Sequence, residues 1–188
     1  MELRPYRPED ADAVRAVVTA AFGDRGAAVA LLAEELRRTH ARAEIVAEVD
    51  GEVVGHVLLS RSWVDARPAL VEVLVLSPLS VEPENQGGGI GTALVRGAVE
   101  EAARLRAPAV FLEGSPTYYG QRGFEPAAAR GFTRPSVRIP APAFQVVVLD
   151  AHEDWMTGAL VYCEPFWTHD CAGLRDPELA QIEHTFDS

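Results

Sequence analysis

Apolar positions along the chain keep two rhythms, one helical and one alternating, and the switches between them mark the elements. Glu2 to Tyr6 reads as a short opening strand. Behind Pro8, which suits a helix start, Val14, Val17, Val18, Ala21 and Phe22 recur at helical spacing until Gly23 stops the run. A second helix is predicted from Ala27 to Arg38, with Val29, Leu32, Ala33 and Leu36 inward and Glu34, Glu35, Arg37 and Arg38 outward. Glu44 to Val49 and Glu52 to Leu59 flank Asp50-Gly51, the dipeptide best suited to a two-residue type I′ turn, so they form an antiparallel hairpin. Arg61 to Ala69, with Trp63 and Pro68, reads as a loop or hairpin tip.

Leu70 to Leu76 is dense in Val and Leu, as a buried strand is, and Ser77-Pro78 interrupts its pairing because proline has no N–H. The strand is therefore expected to bulge or splay there. After Leu79-Ser80-Val81 come a polar turn, Glu82 to Gln86, a glycine run, Gly87-Gly88-Gly89-Ile90-Gly91, and then Ile90, Leu94, Ala98, Ala102 and Leu105 at helical spacing. Ala109 to Leu112 is a short strand, and Ser115-Pro116 is an N-cap with proline at the first helical position. Phe132 to Ile139 and Phe144 to Leu149 supply closing strands. Beyond Asp150 aromatic residues accumulate, with a strand at Ala159 to Tyr162 and a last helix at Pro177 to His184. The expectation is one domain, 1–150, with an extension, 151–188, packed on it.

At 188 residues and 48% hydrophobic content the chain suits a single globular core. The charged opening MELRPYRPED and the lack of any run near the ~20 apolar residues of a membrane span point to a cytoplasmic protein with no membrane partner. A net charge of -11, from 17 basic against 28 acidic residues, argues against nucleic acid and suits a cationic substrate, although a solvated acidic surface looks the same. Cys163 and Cys171, near His169 and Asp170, lack a fourth ligand at zinc spacing and read as reduced thiols, so no metal is expected.

The glycine run offers backbone N–H groups at a helix N-terminus, where free donors and the macrodipole favour an anion. Read alone, the glycines also fit an ordinary strand-to-helix turn. A P-loop would need a Lys and a Ser/Thr after its last glycine, whereas Gly91 is followed by Thr92-Ala93. Gly87, Gly89 and Gly91 do not keep the spacing of a dinucleotide fingerprint either.

Gln86-x-x-Gly89-x-Gly91 after a strand ending Leu79-Ser80-Val81-Glu82-Pro83 resembles the coenzyme A pyrophosphate loop of the GNAT N-acetyltransferase superfamily. Tyr118-Tyr119-x-x-x-Gly123-Phe124 resembles the family's second signature, and Pro78 to Val81 with the Gly158-to-Tyr162 strand looks most like its YhbS-like branch. The similarity covers Met1 to Leu149. It implies an α/β (α+β) fold with a mixed, mostly antiparallel central sheet, a splay between the central strands and helices on both faces. It implies acetyl-CoA as co-substrate and a primary amine of a small molecule or peptide as acceptor, and it allows a homodimer.

The resemblance also assigns roles. Leu79, Ser80 and Val81 would lie along the pantetheine, and Gln86, Gly87, Gly88, Gly89, Ile90, Gly91 and Thr92 would hold the pyrophosphate. Gly88 stands where the family usually has a basic residue, and Ser115 stands near its missing Asn. Ser115 and Tyr118 are further candidates for the cofactor, although core packing also accounts for Tyr118. Phe22 to Ala30 is a candidate specificity region. Acyl transfer needs a neutral amine, an oxyanion donor and a proton for the departing thiolate. An amide near Leu79 would serve the oxyanion, and Tyr119 is the candidate acid, its reference pKa near ~10 keeping it protonated. Glu72, Glu113 and His56 are candidate bases, a lone strand histidine being more often structural. A non-catalytic acyl-CoA sensor and a purely structural module are the competing readings.

Overall fold

Residues 1–186 are described by a computed structural model; Asp187 and Ser188, the end of the expected extension, lie outside the described residues. The chain divides into two units, Met1–Arg61 with Leu76–Leu105, and Ser62–Val75 with the chain from Arg106 on. The division falls inside two long strands and after Leu105. Residues after 150 belong to the second unit.

The first unit holds strands β1 (Glu2–Pro5), β2 (Ala41–Val49), the start of β3 (Glu52–Ala66) and the end of β4 (Leu70–Val81). Asp50 and Gly51 take φ of 51° and 89°, the left-handed pair a type I′ turn needs, and register runs Val49↔Glu52 to Ala41↔Ser60. β1 adds antiparallel to β2. Helices α1 (Ala11–Phe22), α2 (Gly26–Thr39) and α3 (Ile90–Arg104) complete the unit. Consecutive strand residues point to opposite faces. A Cβ on Gly55 would meet Leu94 and Ile90 of α3 at 3.0 and 3.1 Å, while His56 reaches Glu44, which α2's Arg37 also binds. Hence α3 and α2 cover opposite faces of this part of the sheet, with Val18, Leu36, Val46, Leu58 and Leu94 fully buried between the layers.

In the second unit the end of β3 pairs antiparallel with β9 (Gly158–Val161), Trp63 opposite Val161, and β9 pairs parallel with β7 (Phe132–Thr133). β5 (Ala109–Glu113) runs parallel to β4 over Leu74↔Val110 and Val75↔Phe111 only, and antiparallel to β8 (Phe144–Val148), which β6 (Glu125–Pro126) joins. β4 itself continues to Val81, six residues past its last register pair with β5. Helices α4 (Pro116–Gly120), α5 (Glu164–Thr168) and α6 (Glu178–Phe186) follow. Phe111 forms the core, stacked on Phe144 at 5.7 Å and edge-on to Phe132 at 4.8 Å.

Several expectations are corrected. The loop or hairpin tip expected over Arg61 to Ala69 is confined to 67–69: β3 runs to Ala66, because β9, almost a hundred positions along the chain, supplies its partner. Phe132 to Ile139 yields only the two residues of β7. Pro135 lacks a donor, and the backbone beyond it is held irregularly, with the Arg134 guanidinium on the Ile139 carbonyl and Leu174 N on Arg138 O. Phe22 and Leu105 lie 38% and 44% exposed at the ends of their helices. Arg37 turns inward. The helical stretch 8–39 is long and apolar enough, by length and composition, to cross a membrane. It breaks at Gly23–Arg25 into α1 and α2, whose Val14, Val17, Val18, Leu32 and Leu36 are buried in the first unit's core.

Candidate active site

The first unit presents the glycine loop. Gln86 Nε2 donates to the Val81 carbonyl at 3.0 Å, and Glu82 N donates to Val54 O at 2.9 Å, so both ends of the turn are tied to the sheet. Gly87 and Gly89 take φ of 80° and 86°, conformations that a side chain would strain, although nothing lies within 4 Å of where their Cβ atoms would stand. Backbone shape, not crowding, therefore requires glycine here, and the loop's outer surface is clear. Gly89 caps α3 in the left-handed region, and the first α-helical hydrogen bond runs from Ala93 N to Gly89 O at 3.0 Å. The amides of Ile90 and Gly91 lie ahead of it without helical acceptors, at the positive end of a fifteen-residue helix. Leu79, Ser80 and Val81 lie on the free end of β4, and among the described residues the buried Ser80 Oγ has no hydrogen-bond partner.

His56 belongs to another cluster of the same unit. It is wholly buried, its Nε2 is 2.6 Å from Glu44 Oε1, and Arg37 grips both oxygens of that carboxylate at 2.6–3.0 Å. Burial pushes the Glu44 carboxyl up, but the His56 and Arg37 hydrogen bonds outweigh it and hold it below the usual carboxylate range. This geometry suits a fixed structural histidine rather than a base that must reach an acceptor.

The second unit presents the tyrosines on α4. Ser115 Oγ accepts from Tyr118 N at 3.3 Å, the expected cap, with Pro116 at the first position. The Arg122 guanidinium lies 3.5 Å from the Tyr118 ring centre and donates to that residue's carbonyl. The Tyr119 ring meets Tyr118 edge-on at 4.9 Å and Phe124 at 5.9 Å, while Phe124 N returns to Tyr119 O at 3.2 Å. A Cβ on Gly114 would fall 2.2 Å from the Tyr119 ring, so only glycine lets that ring lie against the end of β5. Gln145, buried on β8, donates to Gly114 O at 3.0 Å and fixes the other side of this contact. Burial pushes the Tyr119 hydroxyl's pKa up, Tyr118 adds to this and Arg122 opposes it. Among the described residues that hydroxyl makes no hydrogen bond.

Glu113, Ser115, Tyr118 and Tyr119 thus gather at one corner, β5 to α4. Glu113 accepts from the Tyr162 hydroxyl at 2.7 Å and from Gly173 N at 3.0 Å. Glu72 lies apart, exposed near the start of β4. Sequence reasoning missed Gly114, Gln145, Glu44 and Arg122; the single glycine between a strand and a helix cap was the one signal available for the first. Cys163 is buried and Cys171 partly so, neither in a disulfide, and among the described residues no group of three His, Cys, Asp or Glu could hold a metal.

Residues 2–127 match the family model described as Acetyltransferase (GNAT) domain. The chain is 35% identical over 130 residues, 67% of its length and 71% of the relative's, to the uncharacterized N-acetyltransferase YjhQ of Escherichia coli strain K12. The GNAT family N-acetyltransferase YhbS of Escherichia coli, solved in complex with CoA, superposes with a TM-score of 0.78 at 28% identity, covering 88% of this chain and 91% of that one. A GNAT family acetyltransferase from Brucella melitensis, solved with acetyl-CoA, gives 0.71 at 28% identity over 88% and 97%. With the family model spanning most of the chain, a relative 35% identical over two thirds of it, and a glycine-capped helix after the strand that ends at Val81, the chain belongs to the GNAT family and is an N-acetyltransferase.

Proposed function

We propose that the chain moves an acetyl group from acetyl-CoA to a primary amine of a small molecule or peptide, by direct attack of the amine through a tetrahedral intermediate. The observation that carries the proposal is the glycine loop, clear on its outer side and ending in the amides of Ile90 and Gly91, which fits a pyrophosphate. Gln86 to Thr92 would hold it by backbone donors, since Gly88 brings no charge. The orphaned hydroxyl of Ser80 is accounted for if a polar group of the pantetheine lies against it. The amide of Leu79, beyond the last register pair of β4 with β5, would face the developing oxyanion. Tyr119 would give its proton to the departing thiolate, and its raised pKa keeps that proton in place until it is needed. Of the three candidate bases, Glu113 is held by two donors, His56 is enclosed and Glu72 lies apart, so water would take the amine proton and relay it to one of them. The test is release of free thiol from acetyl-CoA across a panel of primary amines, compared with acetyl-CoA binding alone. Binding without thiol release for any amine would favour the sensor reading.

A further inference from the structure

Two buried polar atoms on neighbouring strands of the first unit have no hydrogen-bond partner among the described residues: Nδ1 of His56 on β3 and Oγ of Ser80 on β4. Both residues are sealed from solvent, at 0% and 1% exposure, so outside water does not satisfy them. β3 and β4 are neighbours in the sheet joined by 67–69 alone, and therefore run antiparallel. Glu82 N donates to Val54 O at 2.9 Å, which sets those two residues opposite each other. Two positions further along each strand, Ser80 falls opposite His56. Opposite residues share a face of the sheet, with Cβ atoms roughly 4.5–5.5 Å apart, so one turn of the serine about χ1, or one water, spans the gap.

The tautomer of His56 follows from its other side. Glu44 is held below the usual carboxylate range, so it is ionised and only accepts, and Nε2 of His56, 2.6 Å from its Oε1, is the nitrogen that carries the proton. In the neutral ring Nδ1 is then a bare lone pair, and the residue opposite it on β4 is a hydroxyl with a proton to give. We propose that Ser80 and His56 form the exit path for the proton that the acceptor amine must lose. The proposal rests on the acetyltransferase reading and names the groups to which water passes that proton. From water the proton goes to Ser80 Oγ, while the Ser80 hydroxyl hands its own to Nδ1, and the positive charge that results on the ring lies against the Glu44 carboxylate. His56 acts through Ser80 and need not reach the acceptor; a ring held by Glu44 is already oriented for the transfer. A hydroxyl donates once and accepts twice, so Ser80 can meet the pantetheine as well.

Ser80→Ala tests this without burdening the fold, since it deletes a hydroxyl that has no partner, and its Tm should not fall. Thiol release from acetyl-CoA, with a primary amine or more slowly with water as acceptor, should drop by ~10²–10⁴-fold in kcat, while the acetyl-CoA Kd stays within a few-fold. His56→Gln keeps an N–H donor for Glu44 and removes the lone pair that receives the proton. Combined with Ser80→Ala it should slow the reaction no further than the slower single variant does, because both residues sit on one path. A Ser80→Ala protein with parental kcat, a loss confined to the acetyl-CoA Kd, or losses that multiply in the double variant would each overturn the proposal. A parent protein that binds acetyl-CoA and releases no thiol with any amine or with water would remove the transferase reading itself, and the relay with it.

Discussion

The Tyr162 hydroxyl donates a 2.7 Å hydrogen bond to Oε1 of Glu113, joining the residue after β9 to the last residue of β5. Gly173 N closes on Oε2 at 3.0 Å, and the Tyr162 ring stacks on Phe166 at 4.5 Å. Burial, with the neighbouring Glu113 carboxylate, raises the Tyr162 pKa well above its ordinary value. Residues beyond Asp150 therefore brace the strand end that leads into α4.

Tyr162→Phe keeps the ring and deletes the donor, leaving Glu113 one partner short in a partly buried place. A loss of ~1–3 kcal/mol in urea unfolding is expected. The raised pKa also sets a sign: the neutral tyrosine stabilises the fold fully below its ordinary value of 10.0, and this is lost as pH rises toward the folded-state value. The variant should lack that alkaline decline. Truncation after Asp150 removes β9 from Trp63–Ala66 and strips cover supplied by Leu160 and Phe166, so it should lower Tm sharply or precipitate. An equally stable, soluble truncate would show the extension to be an appendage.

Glu44 sets the acid side. Its pKa is held down, so its stabilising effect is complete above its ordinary value of 4.5 and is lost as pH falls through the lower folded-state value. Asp10, whose pKa is lowered by the Arg4 hydrogen bonds, adds to the same slope. Glu44→Gln should cost about 3 kcal/mol, the low end for a buried pair because Arg37 is partly exposed, and should flatten the acid limb of a stability-against-pH curve. An unchanged acid limb would show that the pair contributes nothing to folding.

What was legible in the sequence was local. Asp50-Gly51 announces its turn because the required backbone conformation restricts the residues, and the same holds for Gly87 and Gly89 before α3. Ser115-Pro116 announces α4 for a similar reason. What was illegible depends on partners far along the chain. β3 gains its last residues from β9, and Arg37 turns inward because Glu44 and the Tyr6 ring receive it, at 4.2 Å for the ring. No periodicity encodes that choice, since an arginine next to other charges reads as solvent-facing. Glu113 looked like a base because it ends a strand before the tyrosines; its two donors, Tyr162 and Gly173, lie 49 and 60 positions away.

Gly89→Glu tests the phosphate cradle without touching the core, since nothing lies within 4 Å of the added Cβ. Acetyl-CoA should raise the Tm of the parent by mass action, and the variant should lose that shift through like-charge repulsion and a strained φ of 86°. ATP should shift the parent much less. Equal stabilisation by ATP, or a full acetyl-CoA shift in the variant, would count against the loop's role.

Tyr119→Phe separates chemistry from packing more cleanly than most such changes. The ring contacts with Tyr118, Phe124 and Gly114 persist, and the deleted hydroxyl makes no hydrogen bond among the described residues. Stability should therefore stay within ~0.5 kcal/mol of the parent. General acid catalysis contributes ~10²–10⁴-fold, so kcat should fall by that range while the acetyl-CoA Kd holds within a few-fold. Arg122→Met supplies the control, because it removes the cation over Tyr118 and leaves the Tyr119 proton in place. It should loosen α4 and lower kcat far less than Tyr119→Phe does. Slow hydrolysis of acetyl-CoA can serve as the readout until an acceptor is in hand. A Tyr119→Phe protein of parental stability that transfers and hydrolyses at the parental rate would remove Tyr119 from the reaction and assign the thiolate's proton to water.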